Sequence, residues 1–92
     1  MSDPARLWRA LGRRWTLPVL RILKTGRRRF RQLYRSLGEA AHAKVLVDTL
    51  RELQAIGMVN RFRDQEEIIW YEITREGSDI LTIVEQVKED AR

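Results

Sequence analysis

Cysteine is absent from this sequence and histidine occurs once, as His42. These two absences exclude disulfides, thiol redox chemistry and the usual zinc ligand sets. A Ser-His-Asp relay would have to be built around His42, and no nucleophile elbow accompanies it. The five glycines, Gly12, Gly26, Gly38, Gly57 and Gly77, stand alone at segment ends, so there is no glycine-rich phosphate loop. No catalytic residue, metal or cofactor is expected, and the chain does not read as an enzyme. No stretch approaches the ~18–20 apolar residues of a membrane span. The N-terminus lacks the apolar core and cleavage site of a signal peptide, so a cytoplasmic location is expected. Ninety-two residues suffice for one domain with a modest core, read here as residues 1–92 throughout. A core of that size gains from pairing with a second copy.

What is present in abundance is positive charge, and it is unevenly placed. Residues 1–37 carry eleven Lys/Arg and one acid, Asp3, whereas residues 38–92 carry seven Lys/Arg and twelve acids. A one-sided basic half is the electrostatic footprint of a polyanion binder. The competing reading is a solvated surface whose two halves attract each other on folding.

Hydrophobic periodicity divides the chain into helices and a hairpin. Asp3-Pro4 starts a helix, with a side-chain acceptor at the cap and proline in the first turn. Leu7, Trp8 and Leu11 form its apolar stripe and Gly12 ends it. Thr16 can cap a second helix that tolerates Pro18 in its first turn and carries Leu17, Leu20, Ile22 and Leu23 to the stop at Gly26. Phe30, Leu33, Tyr34 and Leu37 mark a short third helix closed by Gly38. A turn through Glu39 and Ala40 leads into a longer helix over 41–55. On that helix Leu46, Leu50 and Leu53 share one face, and Lys44, Asp48, Arg51 and Ala55 share the opposite one. After Gly57 the period changes. Residues 58–63 and 68–74 are rich in β-branched and aromatic side chains, separated by the polar Asp64-Gln65-Glu66-Glu67. They read as an antiparallel hairpin. Thr74 can cap a last helix over about 75–90. A short helix, a turn and a longer amphipathic helix make a helix-turn-helix, and a hairpin directly after it is a wing. The expected class is α+β, mostly α: a winged helix-turn-helix with a two-stranded β-hairpin wing and flanking N- and C-terminal helices.

The residues also carry a family likeness. Leu11-Gly12-Arg13-Arg14-Trp15-Thr16-Leu17-Pro18-Val19-Leu20 resembles the opening of HxlR-type regulators, a branch related to MarR. Arg29-Phe30-Arg31-Gln32-Leu33 resembles their next helix. Lys44-Val45-Leu46, Leu50-Arg51-Glu52-Leu53, Gly57, Val59 and Arg61 resemble their recognition helix and first wing strand. Tyr71, Ile73-Thr74 and Gly77 fit the second strand and the start of the last helix. The likeness runs from about Leu7 to Val87. It implies a DNA-binding transcription regulator, a homodimer held by the first and last helices, with the 41–55 helix in the major groove and the hairpin near the flanking minor groove. Three departures stand out. The cysteine that the family usually carries before its first helix is missing, which excludes a cysteine switch. The recognition helix begins His42-Ala43-Lys44 where the family has Ser-Pro-Lys. Val47, Asp48 and Thr49 replace the family's polar trio.

Ten residues are candidates for contact with double-stranded DNA: Arg28, Arg29, Arg31, Gln32, His42, Lys44, Asp48, Arg51, Arg61 and Arg63. Lys44 and Arg51 lie on the exposed face of the reading helix, where one can meet phosphate and the other a guanine edge. Alternatively, both pair with Asp48 at helical spacing. Asp48 would be repelled by phosphates unless it accepts from cytosine, so the intrahelical pair is favoured for it. His42, near the helix N-terminus, suits a neutral ring bonding phosphate or a plain turn residue. Arg28, Arg29, Arg31 and Gln32 surround the start of the helix that crosses the DNA backbone in helix-turn-helix docking. Arg61 and Arg63 share one face of the first wing strand. They can reach phosphate or the minor groove, although Asp64, Glu66 and Glu67 oppose deep insertion. Trp8, Trp15, Trp70, Phe30 and Tyr34 read as core or dimer interface. Two rival functions remain at this level: a protein-interaction module that has lost sequence reading, motivated by Val47, Asp48 and the acidic wing, and an RNA-binding winged helix, motivated by the arginine-rich half.

Overall fold

The computed structural model describes residues 4–38 and 41–90. The proposed cap Asp3 and the turn residues Glu39 and Ala40 lie outside the described residues. Along the chain run α1 (Pro4–Leu11), α2 (Thr16–Lys24), α3 (Phe30–Ser36), α4 (Ala43–Ala55), β1 (Val59–Arg63), β2 (Ile69–Ile73) and α5 (Arg75–Asp90). This is the order that the periodicity predicts.

Helix α2 is the hub. Its Val19, Leu20 and Leu23 are buried, and α1, α3, α5 and β2 all pack on it. Ala10 of α1, Leu33 of α3, Leu81 of α5 and the α4 stripe Leu46, Leu50 and Leu53 close the same core. Each fully buried leucine contributes roughly 1.5–3 kcal/mol relative to an exposed one, so the amphipathic faces rather than helix propensity fix this arrangement. Thr49 also faces inward, and its hydroxyl donates back to the Val45 carbonyl at 2.8 Å.

Two helix starts differ from the sequence expectation. Trp15, not Thr16, occupies the cap of α2, and Thr16 is a buried first-turn residue. Helix α4 begins at Ala43 with His42 as its cap in extended conformation. Ala41, expected inside the helix, precedes it and is buried against the core. Periodicity counts a small apolar residue toward the helix whether it packs from inside or from just before it.

The junction around the wing is tightly specified. Helix α4 ends in a Schellman turn: Gly57, at φ +80°, donates to Gln54 and Met58 donates to Leu53. Thr74 caps α5 as expected. Its hydroxyl accepts from the Gly77 N–H at 3.0 Å and donates to the Gly57 carbonyl at 2.7 Å, tying the start of α5 to the end of α4. Gly77 permits this closeness, because an added Cβ would collide with the Met58 carbonyl.

The two strands pair antiparallel, with Arg61 opposite Tyr71 and Phe62 opposite Trp70. Side chains alternate between faces, so Arg61 and Tyr71 share one face and Phe62 and Trp70 the other. Arg28 adds a single bridge to the free edge of β2: its N–H donates to the Tyr71 carbonyl at 2.9 Å and its carbonyl accepts from the Tyr71 N–H at 2.8 Å. No described helix is long and apolar enough to cross a membrane.

Candidate nucleic-acid interface

The arginine run before α3 is folded against the wing. The Arg27 guanidinium lies 4.2 Å from the centre of the Trp70 ring, and that of Arg29 lies 5.4 Å from it. Phe62 extends this stack, 5.9 Å from Arg27. Asp64 fixes the edge of the indole: one carboxylate oxygen accepts from Trp70 Nε1 at 2.8 Å, the other from the Glu66 and Ile68 N–H groups. The indole N–H, followed by the Ile68 N–H, holds the Asp64 carboxyl below the ordinary carboxylate range. Asp64 is thus the organiser of the wing tip, and its charge is satisfied there. Glu67 takes the left-handed conformation that completes the turn, φ 68°, and its carboxylate pairs with Arg63 at 2.9 Å.

The ten candidates therefore sit in different settings. Arg28 has turned back on its own chain, donating to the Arg27 carbonyl at 2.8 Å and the Thr25 hydroxyl at 3.0 Å. Arg29 lies over Trp70 and caps α3 with its backbone; the Gln32 side-chain oxygen accepts from its N–H at 2.9 Å. That bond anchors Gln32 and leaves its amide N–H₂ to donate elsewhere. Arg31 is exposed on α3 with no hydrogen bond, ion pair or ring contact among the described residues. His42 is exposed at the cap of α4, and its side chain makes no cap bond. Arg63 is partly neutralised by Glu67.

Lys44, Asp48 and Arg51 correct the expected pairing. None forms an ion pair among the described residues, so the intrahelical bridge predicted for Asp48 is not made. Asp48 is half-buried while Lys44 and Arg51 are exposed. An exposed i,i+3 or i,i+4 pair is worth only ~0.2–0.5 kcal/mol, too little to hold two long side chains against solvent. The two cations of α4 are thus left uncompensated. Arg61 is likewise exposed, with no ion pair among the described residues. A groove between α4 and β1 is lined by Val47, Leu50, Arg51, Gln54, Arg61 and Tyr71. Sequence reasoning passed over Gln54 and Tyr71 as site residues. Pairing the strands outward from the four-residue Asp64–Glu67 connector would set Trp70 opposite Arg61; the actual register, in which the Asp64 N–H donates to the Ile68 carbonyl, sets Tyr71 there instead.

On the far side of α4 the basic charge has an answer. Glu52 accepts from Arg6 at 2.8 and 3.1 Å. That bond, with the nearby Arg13 and Arg9, lowers its pKa against the opposing effect of desolvation. Arg21 pairs with Glu85 at 2.8 Å, and Lys24 donates to Thr82 at 2.9 Å. Arg14 lies 5.0 Å from the Trp15 ring centre. Of the aromatics expected in the core or at a dimer interface, Trp8 lies outside the core, 71% exposed on α1.

Residues 10–91 match the HxlR-like helix-turn-helix family. An HTH-type transcriptional regulator from Methanothermobacter thermautotrophicus is 30% identical over 81 residues, which are 86% of this chain and 61% of the relative. The chain thus spans less than two thirds of the length of that relative. Among solved structures, the reduced form of the regulator YodB from B. subtilis superposes with a TM-score of 0.82 at 22% identity, covering 97% of this chain and 90% of YodB. An HxlR family transcriptional factor from Thermoplasma volcanium superposes with a TM-score of 0.79 at 22% identity, covering 98% of this chain and 83% of its own. These similarities carry the winged fold, and the relatives are transcriptional regulators rather than enzymes.

Proposed function

The chain belongs to the HxlR-like helix-turn-helix family, and from that premise we propose that it is a sequence-specific, double-stranded-DNA-binding transcription regulator that acts as a homodimer in the cytoplasm, with residues 1–92 as one unit. Helix α4 enters the major groove and the β1–β2 wing lies by the adjacent minor groove. The observation that carries this reading is that Lys44 and Arg51 are exposed on α4 with no counter-charge paired to them among the described residues, and that an equally unpaired Arg61 of the wing lines one groove with Arg51. Cations without a protein counter-charge release counterions from a duplex at full effect, whereas those already in ion pairs do not. Lys44 lies in the first turn of α4, the part of a reading helix nearest the base edges. Exposed Ile83 and Val87 on α5, each 61% accessible, and Trp8 on α1 supply an apolar surface for a second copy. Two reading helices about one duplex turn apart favour an inverted repeat.

Selection from a random duplex library tests the proposal. It expects an enriched inverted repeat, bound by a species that sediments as a dimer. Recovery of unrelated sequences, or of a single half-site by a monomer, contradicts it. Competition against structured RNA separates the RNA-binding alternative.

A further inference from the structure

We propose that the groove between α4 and β1 is a seat for one backbone phosphate, held by Arg51, Arg61 and the Tyr71 hydroxyl, and that Arg51 is therefore a positioning contact rather than a reader of guanine. The proposal rests on the DNA-binding reading and assigns the chemistry of one part of that surface. In B-form DNA a single sugar-phosphate strand separates a major groove from the minor groove beside it. With α4 in the first and the wing in the second, that strand must cross the seam between them.

The seam has the donors for a phosphate. Arg51 and Arg61 reach it from the helix and the strand, and neither has a carboxylate, carbonyl or ring partner among the described residues. Tyr71 shares a face with Arg61 through direct cross-strand pairing. Its ring is buried, while its hydroxyl makes no hydrogen bond to the described protein and is not sealed from solvent. Among the described residues no acidic side chain lines the groove. Two acids of the wing tip are engaged elsewhere: Asp64 with Trp70 and Glu67 with Arg63. Val47 and Leu50 supply an apolar wall, which lowers the local dielectric and strengthens the charge-assisted bonds. Arg51 is the ninth residue of α4, two turns from its N-terminus, where a helix that reads bases with its first turn meets the flanking backbone.

Methylphosphonate scanning of the selected duplex, which neutralises one phosphate at a time, tests this. The expected result is one position per half-site at which neutralisation weakens wild-type binding by about tenfold, with Arg51→Ala and Arg61→Ala each weaker overall and insensitive at that position. Each variant should weaken selected and random duplexes by the same factor and make the log–log salt dependence shallower by about 0.9 per phosphate left unneutralised. Tyr71→Phe should reproduce part of the weakening, and Arg51→Lys should retain most of the affinity. The proposal is overturned if Arg51→Ala collapses discrimination between selected and random duplex while random binding stays intact, or if the variants keep the wild-type methylphosphonate profile. A wild-type protein that fails to bind duplex at all overturns the DNA-binding reading as well. Normal wild-type selection with unaffected Arg51→Ala and Arg61→Ala variants overturns the phosphate seat alone. Both arginines are exposed, so thermal melts of the variants should match wild type.

Discussion

Basic residues before Gly38 and those on α4 and the wing are differently employed. In the first group Arg6 and Arg21 reach across the fold to Glu52 and Glu85, Lys24 and Arg28 donate to threonine hydroxyls, and Arg14, Arg27 and Arg29 lie over aromatic rings, with Arg31 and Arg35 as exceptions that have no such partner among the described residues. In the second, Lys44, Arg51 and Arg61 have no such partner among the described residues, and only Arg63 is paired. The segment with the larger formal charge thus contributes much of it to holding the fold together. The segment that is acidic on balance presents free cations on α4 and the wing. Net charge by segment measures neither, because a duplex responds to charge that the protein has not already compensated. One reading of the charge asymmetry has a physical counterpart, since the halves do attract each other on folding. The other put polyanion binding on the basic half, whereas the uncompensated cations that meet at one groove, Arg51 and Arg61, come from the half that is acidic on balance.

The sharpest way to break this contrast is to remove the unpaired cations. Arg51→Ala with Arg61→Ala should weaken duplex binding by roughly a hundredfold per half-site, from two charge-assisted bonds at ~1.5 kcal/mol each in each protomer, with little change in melting temperature. A filter-binding or anisotropy titration decides this, and unchanged affinity would place the DNA face elsewhere.

The paired group should respond in stability instead. Trp70→Ala removes the ring that Arg27 and Arg29 cover and the N–H that Asp64 accepts. A decrease of roughly 2–3 kcal/mol is expected in denaturant unfolding, below the range for a fully buried aromatic because this ring is only half-buried. A decrease under ~0.5 kcal/mol would mean that the stack does not hold the wing.

A smaller effect is expected from Arg6→Ala. Its bridge to Glu52 joins two partly exposed side chains, so the change should stay below about 1 kcal/mol, with duplex affinity nearly unaltered. A tenfold drop in affinity from this variant would return the DNA face to the N-terminal half.

Smallest is the titration of Asp64. Its folded pKa is depressed, so its contribution to stability is present above the unfolded value of about 3.9 and disappears as pH falls through the folded value. Trp70→Phe deletes the largest cause of the depression. An NMR titration should then show the Asp64 carboxyl moving up toward its unfolded value, while an unmoved midpoint would assign the shift to the backbone donors alone.

Much of the fold was legible because its boundaries are written in local chemistry. Gly57 sits where a left-handed residue must end α4, Thr74 is the acceptor that α5 needs, and the change of period after Gly57 announces the hairpin. What escaped sequence reasoning is tertiary. Nothing local says that Trp70 lies against Arg27 and Arg29, which are more than forty residues away in the chain. Nor does spacing reveal that Asp48 leaves both of its helical neighbours unpaired, since i,i+4 proximity permits a bridge without enforcing it. Gln32 is intermediate: it lies three residues after the cap position of α3, the spacing at which a side chain reaches back to the cap N–H. Ala41 illustrates the opposite error, in which a small buried residue is counted into the helix that it merely precedes.

The most direct test of the contrast is the salt dependence of duplex binding in two paired variants, Arg51→Ala/Arg61→Ala and Arg6→Ala/Arg21→Ala. The predicted result is a log–log slope shallower by about 0.9 for each phosphate that the first variant no longer neutralises, and a slope equal to wild type in the second. A wild-type slope in the first with a shallower one in the second would contradict the proposed division between paired and free cations.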